Sequence, residues 1–219
     1  MRYNFTDKEI KEILSNLTVV IDNREQANLH ITDWLDKKKI PYREETLKYG
    51  DYSCMIPNGT FEGQKRDIYF TDSIAIERKF GIDELAMNLK DNKTNINEVN
   101  KEIIELLGEK YLKKVLKTDY NRLKSELQGL NRYGIKFFIF LEDKDFDKNI
   151  REGNYRNQYK PASLYARLKA LESEFNTVIR PVDKSLMGSE IYNTLRYCVR
   201  DILKNKGFID IDKKERRKA

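Results

Sequence analysis

Apolar positions along the chain alternate between a helical and a strand-like period. Thr6-x-x-Glu9 reads as a capping box that opens a short helix running to about Leu17. The unbroken run Thr18-Val19-Val20-Ile21 that follows reads as a buried strand ending on Asp22. Residues 27–39 put Ile31, Trp34 and Leu35 on one helical face, and Pro41 starts the next extended segment. Residues 44–56 alternate as a strand pair. The turn Pro57-Asn58-Gly59 and a polar stretch then lead to a second extended run at 68–79, so that this region reads as a long hairpin.

Beyond Gly81 the period returns to that of a helix, with Ile82, Leu85, Ala86 and Leu89 on one side. Residues 92–117 read as a charged helical stretch with the character of an insertion. Leu123, Leu127 and Leu130 define another amphipathic helix that ends near Gly134, and the run from Lys136 to Leu141 is a buried strand closing on Glu142. Pro161 stands where first-turn prolines stand, opening a helix through Phe175 with Leu164, Leu168 and Leu171 inward. A last strand is expected at 177–182 and a final helix at 189–203. With no internal repeat, this alternation predicts an α/β domain with helices on both faces of a mixed sheet. One domain at 1–205 is expected, followed by a basic tail at 206–219.

Length and composition narrow the function. At 219 residues and 39% hydrophobic content the chain can bury a sizeable core but is short for two large domains. The 42 Lys and Arg against 36 Asp and Glu give a formal charge of +6, which favours a polyanionic partner. Part of that excess is the tail run Lys213, Lys214, Arg216, Arg217 and Lys218, which reads as a solvated end. Cys54 and Cys198 stand far apart, without metal-ligand spacing, and fit a reducing compartment rather than a disulfide framework or zinc site. The polar N-terminal segment and the lack of a bilayer-length apolar run predict a soluble, intracellular protein with no membrane partner. Richness in Lys, Asn and Ile points to an AT-rich bacterial or phage genome. The single histidine, His30, excludes chemistry that needs paired histidines and leaves carboxylates with Lys or Arg.

Three segments place charge at the end of an apolar strand: Val19-Val20-Ile21-Asp22-Asn23-Arg24-Glu25, Gly50-Asp51-Tyr52, and Ile76-Glu77-Arg78-Lys79 followed by Asp83. Side chains two apart on a strand share a face, so Glu77 and Lys79 point together while Ile74, Ile76 and Arg78 point the other way. A charged tripeptide directly after Ile-Ala-Ile carries a desolvation cost that an ordinary surface pair avoids. Asp51 and Glu77 are therefore expected to hold Mg²⁺ or Mn²⁺ for phosphodiester hydrolysis, with Lys79 at the attacking water and no organic cofactor. Asp83 reads equally as a first-turn helix acid, and Glu25 as a helix-start residue.

The pattern Gly50-Asp51, Glu77-Arg78-Lys79-x-x-x-Asp83 resembles the signature of the XPF-type structure-specific nuclease domain, a restriction-endonuclease-like PD-(D/E)xK fold, and Val19 to Glu25 is similar to its first-strand motif. The resemblance covers roughly residues 18–142 and more loosely 161–203. It implies a metal-dependent DNA endonuclease acting on branched or flap-like DNA in repair, recombination or replication. It further implies that Asp51 and Glu77 bind the metal, that Asp22 and Glu25 can serve a second ion, and that Arg24, Arg78 and Arg122 hold phosphates or support the site. Glu126 departs from the pattern by standing where a glutamine is expected, and the interval from Asp51 to Glu77 is long, which implies an extended hairpin. Nothing in residues 1–219 reads as the tandem helix-hairpin-helix module that usually follows this domain, so the domain itself is expected to supply phosphate contacts, including through lysines of 92–117. A homodimer is expected through Leu164, Leu168, Leu171, Ile191, Leu195 and Val199, residues that equally suit the monomer's own core. Two rival readings are a non-catalytic DNA-binding partner and a restriction-type enzyme on the same fold.

Overall fold

The computed structural model describes residues 2–89, 119–206 and 208–209. The expected helical insertion at 92–117 and the basic run of the tail lie outside them. In chain order the described elements are β1 (Arg2–Tyr3), α1 (Asp7–Ser15), β2 (Thr18–Asp22), α2 (Leu29–Lys38), β3 (Tyr42–Glu45), β4 (Tyr52–Ile56), β5 (Ile68–Tyr69), β6 (Ile74–Lys79) and α3 (Ile82–Leu89). They continue with α4 (Asp119–Arg132), β7 (Lys136–Leu141), α5 (Phe146–Glu152), α6 (Pro161–Phe175), β8 (Val178–Pro181), α7 (Met187–Asn205) and β9 (Phe208–Ile209). A mixed sheet of seven strands, flanked by helices, has the order β3-β2-β4-β6-β7-β8, with β5 paired to β4. A separate pair, β1 with β9, is antiparallel.

Contacts divide the chain into two compact units, Met1–Glu77 with Lys184–Ala219, and Arg78–Asp183. The first unit is organised around β2 and β4, every residue of which is buried. α1 is closed by the predicted capping box, Thr6 and Glu9 each accepting from the other's backbone N–H. α7 buries Met187, Ile191, Leu195, Val199 and Leu203, one residue per turn, and each such side chain withdrawn from water is worth roughly 1.5–3 kcal/mol before entropy. Gly188 lets α7 approach α2, since a β-carbon there would stand 3.0 Å from that of Trp34. In the second unit, β7 and β8 pair in parallel, with Phe138 opposite Val178. Leu85, Ala86 and Leu89 of α3, Leu127 and Leu130 of α4, and Leu164, Leu168 and Leu171 of α6 complete the core.

Residues 44–56 do contain strands, but they do not pair with each other. β2 lies between them, parallel to β3 through Val19–Tyr42 and antiparallel to β4 through Val19–Cys54. β2, fully buried, is thus paired on both edges, and the segment connecting β3 to β4 buries Leu47 against Val20 and Met55. α5 was not legible in the sequence. Its seven residues bury only Phe146 and Ile150, too few to set up a period. The six apolar residues expected to form a dimer surface, Leu164, Leu168, Leu171, Ile191, Leu195 and Val199, are all buried within their own units. They are core residues, which is the second of the two readings the sequence allowed. No described helix is long and apolar enough to cross a membrane.

Candidate active site

Three carboxylates reach one edge of the first unit because β2, β4 and β6 are antiparallel neighbours. Ile21 is opposite Tyr52, and Tyr52 is opposite Ile76. One step further along this register, Asp22, Asp51 and Glu77 stand side by side, and residues opposite one another share a sheet face. Backbone bonds fix the alignment. The Asp22 N–H donates to the Asp51 carbonyl and the Asp51 N–H to the Ile76 carbonyl, both at 2.8 Å. Gly50 makes this approach possible: its φ is +67°, and a β-carbon there would lie 2.8 Å from the Ile76 carbonyl oxygen.

The three differ in environment. The Asp22 side chain is 2% exposed. Its Oδ1 accepts from the Arg24 backbone N–H (2.8 Å) and Nε (2.7 Å), and its Oδ2 from Arg24 Nη2 (2.6 Å) and the Leu47 N–H (2.9 Å). Arg24 Nη2 also donates to the Leu47 carbonyl at 2.9 Å. The side-chain bond from Arg24 holds the Asp22 carboxyl well below its ordinary range, at about 2, against the opposing effect of burial. An ionised carboxylate offers about four acceptor positions, and here all are taken. For Asp22 to bind a second ion this clasp must open, whereas the Arg24 side chain remains 68% exposed beside it. Glu25, the other expected second-ion ligand, accepts from the Ala27 N–H at 3.1 Å in the turn before α2.

Asp51 and Glu77 are half-exposed. Their oxygens are hard donors on adjacent strands and fit a Mg²⁺-like ion that keeps several waters. Among the described residues no group of three or more His, Cys, Asp or Glu side chains is placed to hold a metal ion.

Along β6 the burial pattern follows the strand period: Glu77 half-exposed, Arg78 buried, Lys79 half-exposed. Arg78 lies on the buried side of the strand. Its side chain is 1% exposed and faces the interior, where Nη1 lies 3.3 Å from Oε1 of the equally buried Glu142. The Glu142 N–H donates to the Lys79 carbonyl at 2.9 Å, so the pair ties the end of β6 to that of β7. Lys79 Nζ lies 3.2 Å from Glu84 Oε1, while Glu84 Oε2 accepts from the Phe80 N–H at 2.9 Å. Phe80 is itself exposed, with the Arg78 guanidinium 4.3 Å from its ring centre.

Asp83 is engaged structurally. Its Oδ1 accepts from the backbone N–H groups of Arg156 and Asn157 at 2.8 and 2.9 Å, which tethers the segment before α6 to the first turn of α3. Arg122 is exposed on α4, and Glu126 half-exposed one turn on. The residue that sequence reasoning passed over is Glu84, which holds both Lys79 and the backbone of Phe80. A Glu at the third position of a predicted helix is the signal that marks it, since such residues reach back to N–H groups ahead of the helix.

The ERCC4 domain model matches residues 21–191, which include the charged residues of all three strand-end segments. A comparison with curated protein sequences finds no match. Among solved structures, XPF from Aeropyrum pernix is 18% identical with a TM-score of 0.49, covering 84% of this chain and 66% of that one. The same protein in a complex with DNA gives 18% identity and a TM-score of 0.48, covering 84% and 65%. The chain thus spans slightly less than two thirds of the solved chains it resembles. The family match, which covers most of the chain, means that this chain belongs to the ERCC4 domain family.

Proposed function

We propose that the chain is a metal-dependent DNA endonuclease that hydrolyses phosphodiester bonds at branched or flap-like DNA in repair, recombination or replication. The observation that carries this reading is the alignment of Asp51 with Glu77 across β4 and β6, with Lys79 two residues further along the same strand. Asp51 and Glu77 would hold Mg²⁺ or Mn²⁺, which supplies charge neutralisation at the phosphate and a more acidic water. Lys79 orients the attacking water and is itself oriented by Glu84. DNA binding follows from the family and from the net charge of +6. XPF from Aeropyrum pernix, to which the chain is similar, is itself seen in complex with DNA. The exposure of Arg24 and Arg122 supports both as phosphate contacts, while Arg78, buried against Glu142, would support the site from within.

The test is cleavage of flap, fork, linear duplex and plasmid DNA, with Mg²⁺, with Mn²⁺ and in chelator. Metal-dependent cutting of flap and fork above linear duplex is expected. Sequence-specific cutting of plasmid would instead mark a restriction-type enzyme, and binding without cutting under every metal condition would mark a non-catalytic partner.

A further inference from the structure

The first unit carries a groove that neither the family match nor the active-site reading covers. It lies between α1 and α7, with a volume of about 390 Å³, at the small end of ligand-sized clefts. α1 and the part of α7 that lines it, Arg196 to Arg200, both fall outside residues 21–191. Ile10 and Leu14, both buried, form its floor. Its walls carry Lys11, Arg196 and Arg200 against one carboxylate, Asp7. Asp7 is highly exposed and lies 3.9 Å from Lys204. Arg196 and Arg200 are one turn apart on the same face of α7, and among the described residues none of the three groove cations is ion-paired. Beside them Tyr197 is 60% exposed.

An aromatic face set among arginines over a short apolar floor matches the way single-stranded nucleic acid is held, with bases stacked on aromatic rings and phosphates on a basic track. A duplex offers no free base face for such a ring. We propose that the α1–α7 groove is a second, non-catalytic site that takes a single-stranded DNA segment. Lys11, Arg196 and Arg200 hold its phosphates, and Tyr197 stacks on an unpaired base.

The experiment uses the full chain in chelator, so that cleavage plays no part and failure of the nuclease reading would leave this result untouched. Binding of a labelled oligo-dT is followed by fluorescence anisotropy from low to moderate salt. The double change Arg196→Gln with Arg200→Gln should lower the salt slope of log K by about 1.4, at about 0.7 per phosphate contact on a single strand. Tyr197→Ala should weaken binding at least about fivefold, while Tyr197→Phe, which keeps the ring, should bind as the native chain does. Circular dichroism melting checks folding. If the double variant does not fold, Arg200→Gln alone, at an exposed position, should lower the slope by about 0.7. An unchanged slope overturns the proposal. So does equal competition by polyphosphate with no effect of Tyr197→Ala, which would mark an anion site only, and so does equal binding of blunt duplex through the same residues.

Discussion

Asp22 and Asp51 stand opposite each other across β2 and β4, each at the end of an apolar strand, yet they are different chemical objects. Asp22 is buried, accepts four hydrogen bonds and is held ionised to about pH 2. Asp51 sits half-exposed one strand over. The same contrast recurs within one tripeptide: Arg78 is buried against Glu142, while Lys79, one residue on, faces the opposite side of the strand. A charged residue at the end of a core strand thus has two fates, and partner geometry, rather than residue type, separates the charge locked into the interior from the half-exposed one.

The largest effect that would test this division is at Arg78. Arg78→Ala leaves the Glu142 carboxylate buried without its cation and should cost about 3–5 kcal/mol of unfolding free energy, measured by denaturant titration. Arg78→Met combined with Glu142→Leu should recover most of that loss. A stable Arg78→Ala chain that merely binds DNA less tightly would assign Arg78 to the DNA face after all.

Crossing the two aspartates comes next. Asp51→Asn should reduce cleavage about a hundredfold or more, since the metal's contribution is several kcal/mol, with melting temperature and DNA affinity little changed. Asp22→Asn should do the reverse, losing about 2 kcal/mol of stability as Leu47 and Arg24 lose an ionised acceptor. If both variants lose cleavage while staying equally stable, the clasp opens in the working enzyme and Asp22 is a ligand.

The clasp also predicts a pH dependence. The folded Asp22 has its pKa lowered from 3.8 to about 2, so its contribution, on the order of 2 kcal/mol, is fully present above about pH 4 and is lost as pH falls through 2. Acid unfolding curves of the native chain and Asp22→Asn should converge over that window. Parallel curves would mean that Arg24 contributes nothing through charge.

The smallest expected effect is at Glu84. Glu84→Gln keeps the bond to the Phe80 N–H but removes the charge beside Lys79. It should lower kcat about tenfold, shift the alkaline limb of the pH-rate profile and leave KM nearly unchanged. An unaltered profile would make Glu84 a helix-start residue only.

Much of the first unit was legible because its periods are long and its strands apolar. The capping box Thr6–Glu9, the strand ending at Asp22, and the helices carrying Ile31 and Leu195 follow from local pattern. Strand alternation likewise predicted that Arg78 would point away from Glu77 and Lys79. The insertion of β2 between β3 and β4 was not legible, since sequence adjacency favours pairing neighbours and only burial on both edges reverses it. Nor was the role of Asp83, whose partners Arg156 and Asn157 lie more than seventy residues away.

By itself, the sequence determined the strand-end acids, the face that Glu77 shares with Lys79, and the nuclease family, because these depend on residue type and on periods of two and 3.6. Only the tertiary structure decided which acids are saturated. Asp22 needs the Leu47 N–H, twenty-five residues away, to complete its fourfold acceptance, and Arg78 needs Glu142, just past the end of β7. A buried charge can remain only where the fold brings a partner to it, and that depends on where distant segments of the chain meet.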